Sequence, residues 1–139
     1  MEYCFFGNEV ELKPLNDKYG VKSLRDLYDK LSKIWCEFTC APRLRPEWSP
    51  ENKTLGQCSI SAFLAQDIFG GKVYGIPTDN GGVHCYNEVD GKIFDLTSEQ
   101  FGGKSLTYSL ENEQTREEHF KKAEKKERYE YLRSALLEK

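Results

Sequence analysis

Asp90-Gly91, set between the runs VHCYNEV and KIFDLT, constrains this chain more than any other pair of residues. An Asp-Gly pair tolerates the positive φ needed at both centres of a type I′ turn, whose twist suits an antiparallel hairpin. The sequence therefore predicts two strands joined at Asp90-Gly91, with Val89 paired to Lys92. Counting outward sets Tyr86 opposite Asp95 and His84 opposite Thr97. Side chains alternate across a strand. One face thus carries His84, Tyr86, Glu88, Ile93, Asp95 and Thr97. The other carries Val83, Cys85, Asn87, Val89, Lys92, Phe94 and Leu96, largely core material. His84 and Asp95 become diagonal neighbours with Cα atoms roughly 7–8 Å apart, within reach of an imidazole–carboxylate hydrogen bond.

Helical spacing dominates upstream. Leu24, Leu27, Leu31, Ile34, Trp35 and Phe38 follow Ser23, a good N-cap, and predict an amphipathic helix from about Ser23 to Glu37. Pro42, Pro46 and Pro50 then enforce a loop, in which Ser49-Pro50 suits the start of one helical turn. Thr54-Leu-Gly-Gln57 has the form of a capping box. It predicts a second helix from near Leu55, with Thr54 as N-cap and Gln57 at its third position, stopped after Phe69 by Gly70-Gly71. A strand at about Lys72–Ile76 and a loop at Pro77–Gly82 follow. Beyond Thr97 the sequence reads as a loop holding one short strand. A charged, solvated helix runs from Thr115 to Lys139. Residues 1–20 read as irregular, with a short strand near Val10–Leu12. The chain has 139 residues, with no repeat and no second domain. The expected organisation is therefore one α+β domain over residues 1–139, its N-terminal helices packed on a small antiparallel sheet.

Charge and hydropathy exclude some functions. The net charge is −3, with no basic excess to follow a phosphate backbone, so nucleic acid is not an expected partner. The N-terminus lacks a basic signal region, and no stretch approaches the roughly 18 apolar residues of a membrane span. A cytoplasmic protein without membrane contact is expected. Its five cysteines, Cys4, Cys36, Cys40, Cys58 and Cys85, are an odd number. In a reducing compartment they argue against a disulfide framework. Cys36 and Cys40 are spaced like half a metal site, but no second pair of ligands follows, so neither metal nor cofactor is expected. Cys85 falls on the apolar face and reads as core.

Cys58 has two readings, a buried inert thiol or a nucleophile. In the first turn of a helix, unpaired N–H groups and the dipole favour a thiolate. A neighbouring imidazolium lowers the thiol pKa further. Ser61, Ala62 and Ala65 share its helical face and are small enough to let the helix lie close to a sheet. Of the two histidines, His119 is expected on an exposed helix, leaving His84 as the candidate base and Asp95 as the carboxylate that orients it. Gln57 either closes the capping box or polarises a carbonyl. The backbone N–H of Cys58 is the better oxyanion donor. Trp48 and Tyr86 either pack or line a groove.

A helix-borne Cys, then a strand with His, then a strand with Asp, resembles the papain-like superfamily, its transglutaminase-like branch in particular. More closely, WSPEN, LGQC, QDIFGG, HCYN, the acidic-Gly turn and DLTSEQF resemble the small bacterial YunG-like proteins. The similarity covers roughly Trp35 to Phe101, and RYEYL in the final helix also fits. The resemblance implies a papain-like fold with Cys58 as nucleophile, His84 as base and Asp95 as orienter. Two departures stand out: Tyr86 replaces a Trp common in the family, and Gln57 adjoins the Cys where papain places its oxyanion Gln several residues earlier.

The leading expectation is a thiol hydrolase or acyltransferase acting on an amide or thioester. Peptidase, deamidase, transglutaminase and thioesterase chemistry share these steps, and the substrate class is equally open among small molecules, peptides and proteins. The residues imply no oligomeric state. The alternatives are a catalytically inactive papain-like binding module, and redox or metal sensing through Cys36, Cys40 and Cys58.

Overall fold

A computed structural model of the chain describes residues 3–78, 82–102 and 106–138. The middle of the expected Pro77–Gly82 loop, residues 103–105 of the loop beyond Thr97, and Lys139 lie outside the described residues. The hairpin forms as predicted: Val89 pairs with Lys92, Glu88 with Ile93 and Asn87 with Phe94. Asp90 and Gly91 take φ of 51° and 81°, the double positive φ of a type I′ turn.

This hairpin is part of a four-stranded antiparallel sheet. The strands are β1 (Lys72–Pro77), β2 (Val83–Val89), β3 (Lys92–Phe94) and β4 (Glu113–Gln114), in spatial order β3-β2-β1-β4. β4 is the short strand expected beyond Thr97. β3 ends at Phe94, so the ladder pairs expected for Asp95 and Thr97 do not form. The backbone N–H of Asp95 instead donates to the Phe6 carbonyl at 2.9 Å. The Thr97 N–H then turns back to the Asp95 carboxylate at 3.2 Å. No strand forms at Val10–Leu12.

The first helix, α1 (Leu24–Ile34), is capped by Ser23, whose hydroxyl accepts from the Asp26 N–H. It buries Leu24, Leu27, Leu31 and Ile34 and ends three residues short of Glu37, with Trp35 already extended. The proline-rich segment winds into a 3-10 helix over Pro42–Glu47 rather than an open loop. Its i→i+3 pattern asks less of Pro46 than an α-helix does. α2 (Cys58–Phe69) begins later than predicted, because Gly56 adopts φ +72°. No capping box forms: Gln57 is itself the N-cap, without a side-chain cap bond, and Thr54 is buried in the preceding turn.

α2 is apolar on nearly every side, as a central helix must be. It lies between β2 and the C-terminal helix α4 (Ala123–Leu137). The buried Asn87 side chain donates to the Ala62 carbonyl at 2.9 Å, tying α2 to the sheet. α1 also packs on α4. The expected single helix after Thr115 is broken at Phe120 into a short α3 (Arg116–His119) and α4. α4 is not simply solvated: Arg128, Tyr129, Leu132 and Leu136 are buried. Among the described residues no helix is long and apolar enough to cross a membrane.

Candidate active site

Cys58 is the first residue of α2. The first helical bond runs from the Ser61 N–H to the Gln57 carbonyl, so the N–H groups of Cys58, Ser59 and Ile60 have no acceptor within the helix. The turn before it is held from three directions. The Gly56 carbonyl accepts from the Ala41 N–H at 2.9 Å and from the Arg128 guanidinium at 2.9 Å, and the Gly56 N–H donates to the Gln100 side chain at 3.4 Å. A Cβ at Gly56 would meet Cys40 Sγ at 2.5 Å and the Ala41 nitrogen at 2.9 Å. Glycine is thus needed here for both its backbone angle and its size.

His84 is buried on β2, and its Nε2 lies 2.6 Å from Asp95 Oδ2. Asp95, also buried, accepts three further bonds. The Tyr108 hydroxyl donates to Oδ2 at 2.8 Å, and the Thr97 N–H and hydroxyl donate to Oδ1 at 3.2 and 3.4 Å. Phe101 stands edge-on to the imidazole, ring centres 4.7 Å apart. With Nε2 committed to Asp95, Nδ1 is the nitrogen left for Cys58. The two side chains line one cavity, and each shifts the other's pKa toward its charged form. Cys58 Sγ also lies 3.8 Å from the Val83 carbonyl.

These contacts set the charges. Hydrogen bonding from the Cys85 thiol holds the Cys58 thiol well below its ordinary range; burial opposes this, and His84 adds to it by hydrogen bond and charge. Burial alone would lower the His84 pKa, but Asp95 and Cys58 together raise it to about 10. Cys85 is pushed well above the ordinary thiol value by its bond to Cys58 and by burial. These shifts favour negative charge on Cys58 rather than on Cys85, and positive charge on His84.

The half-buried Cys58 opens with His84 and Cys85 onto a cavity of about 650 Å³. Cys58, His84 and Asp95 are therefore brought together, while the three groove candidates stand apart. Gln57 is buried, and its Nε2 donates to the Cys36 carbonyl at 3.1 Å. Trp48 donates to the Lys53 carbonyl at 3.0 Å. Tyr86 is buried and donates to the Ser109 carbonyl. None of the three lines the cavity. Cys36 and Cys40 do not join Cys58 either. Cys40 is buried, its Sγ 3.5 Å from the Ala41 carbonyl, and burial raises its pKa to about 11. Among the described residues no group of three or more His, Cys, Asp or Glu side chains is arranged so that it could hold a metal ion.

Several contributors were not read from the sequence. Alternation predicts Cys85 as core, and it is buried; yet it also lines the cavity with Cys58, because α2 packs against β2. Tyr108 sits in a segment without periodicity and carries no local signal. His119, expected on an exposed surface, stacks on Phe63 with ring centres 4.8 Å apart and lines the cavity. The phenylalanines packed beside it, Phe63 and Phe120, were the available hint.

The family model described as YunG protein matches residues 23–139. The uncharacterized protein YunG of Bacillus subtilis (strain 168) is 35% identical over 90 residues, covering 65% of this chain and 75% of its own length. No solved structure matches the chain. The match spans α1 through α4 and includes every residue gathered around Cys58, and the chain belongs to the YunG family.

Proposed function

We propose that this chain is a cysteine-dependent acyl-transfer enzyme, a thiol hydrolase or acyltransferase acting on an amide or thioester. We extend the proposal to a papain-like, transglutaminase-like arrangement of residues 1–139. One observation carries it: the buried His84 imidazole is held by Asp95 at 2.6 Å and opens with the helix-borne Cys58 onto one cavity.

The steps follow from that contact. The Cys58 thiolate attacks the carbonyl carbon, forming a C–S bond and moving the carbonyl π electrons onto oxygen. The free N–H groups at the start of α2 favour that oxyanion. As the tetrahedral species collapses, the bond to the leaving amine or thiol breaks, and His84 gives the departing group its proton. Water or an amine then loses a proton to His84 and attacks the acyl-enzyme, releasing Cys58 as thiolate. Asp95 keeps the ring oriented and supports its positive charge throughout.

Probes carrying thioester and activated amide groups test the proposal. The expected result is an acyl adduct on Cys58 by intact mass and peptide mapping, absent from Cys58→Ala and formed more slowly by His84→Ala. Uniformly slow reaction of all five thiols, without an adduct, contradicts it and favours the catalytically inactive binding module.

A further inference from the structure

The cavity beside Cys58 is charged out of proportion to the chain. Among the described residues four cationic side chains line it, Arg43, Lys122, Lys125 and Arg128, against one carboxylate, Glu124. The whole chain carries −3. Glu124 is already paired with Arg128 at 3.3 Å. Arg128 further donates to the Thr39 and Gly56 carbonyls at 3.0 and 2.9 Å, so that pair is consumed in holding the turn before Cys58. Arg43, Lys122 and Lys125 remain, and among the described residues none has an ion-pair partner. Lys122 is the N-cap of α4 and Lys125 lies in its first turn, the end of a helix where the dipole disfavours cations.

His119 also lines the cavity. Burial, reinforced by the charge of Lys125, lowers its pKa to about 4, so it adds no positive charge there at neutral pH. Its Nε2 is buried away from the cavity's solvent and has no hydrogen-bond partner among the described residues. The charge the cavity offers is therefore that of Arg43, Lys122 and Lys125.

We infer that the site selects acyl donors carrying an anionic group, a carboxylate or phosphoryl group beyond the scissile carbonyl, with Arg43, Lys122 and Lys125 receiving the charge. This rests on the acyl-transfer reading above. The chemistry at sulfur is unchanged: the Sγ–acyl bond forms, the donor's thioester bond breaks, and the departing thiol takes its proton from His84. What the cavity adds is preference among donors, which electrostatic complementarity supplies through encounter rate and specificity.

Three N-acetylcysteamine thioesters of matched size separate the outcomes: succinyl, 3-phosphonopropanoyl and butyryl. The readout is the rate at which each acylates Cys58, followed by intact mass. Both anionic donors should react at least about 5-fold faster than butyryl, and the advantage should shrink as salt is added. In Lys122→Ala/Lys125→Ala the anionic-to-neutral ratio falls toward one, and in Lys122→Glu/Lys125→Glu it inverts. Lys126→Ala, outside the cavity, keeps the wild-type ratio. An advantage for only one of the two anionic donors identifies which group the site takes. Acylation by all three at equal rates overturns the charge inference and leaves acyl transfer standing. Acylation by none overturns the acyl-transfer reading and the inference with it.

Discussion

Cys85 lines the cavity beside Cys58 and is the largest single influence holding the Cys58 thiol below its ordinary range. Removing it in Cys85→Ala should raise the Cys58 pKa. Once that pKa exceeds the working pH, each further unit lowers the thiolate fraction by about 10-fold. The check is iodoacetamide labelling of Cys58 at about pH 6, where Cys85→Ala should slow the reaction and Cys4→Ala should leave it unchanged. Equal rates in both variants would remove Cys85 from the site. His84 and Asp95 were legible because a turn dipeptide and strict alternation determine which side chains share a face, and Cys58 because it falls at the start of a helix. Cys85 was legible only as core. The same alternation that turns it from His84 turns it toward α2, and no local pattern reports which end of α2 arrives there.

At the scale of elements, the site depends on where chains of hydrogen bonds stop. β3 was expected to continue through Asp95; it ends at Phe94 because Phe6, far away in sequence, accepts the Asp95 N–H. The His84–Asp95 contact survives the lost register because the Thr97 N–H folds back on the carboxylate. The start of α2 was misread for a related reason. Thr54 and Gln57 fit a capping box, but Gly56 turns left-handed and Gln57 spends its amide on Cys36. A tertiary contact therefore displaced a local signature. Gly56→Ala tests this turn. Adding a methyl at φ +72°, 2.5 Å from Cys40 Sγ, should destabilise the fold by about 1–3 kcal/mol in urea melts. Cys40→Ala in the same chain should recover part of that loss, since the two positions are in contact. A wild-type midpoint for Gly56→Ala would mean the turn is not the one described.

For the molecule as a whole, the sequence conveyed an α+β arrangement of helices on a small antiparallel sheet. It did not convey that α4 reaches back to the turn before Cys58 through Arg128, or that α4 and its N-cap supply much of the cavity's charge. The broad similarity to YunG runs along the chain; the cavity lining is assembled across it. His119 shows the consequence for stability. Its pKa falls from an ordinary 6.5 to about 4 in the folded chain, so the folded state binds fewer protons than the unfolded one between those values. Its contribution is complete above about pH 6.5 and is lost as pH falls toward about 4. His119→Gln should flatten the fall of the thermal midpoint across that window, and an unchanged slope would place His119 in solvent. The central claim is a thiolate–imidazolium pair at Cys58 and His84, and the pH profile of Cys58 alkylation tests it most directly. Wild type should already react fast at about pH 6, hold a plateau, and change again near pH 10 as His84 loses its proton. In His84→Ala the acid-side rise should move up by at least about one unit and the alkaline step vanish. A wild-type profile with a single rise near the ordinary thiol value of about 8.5, unaltered by His84→Ala, would contradict the account.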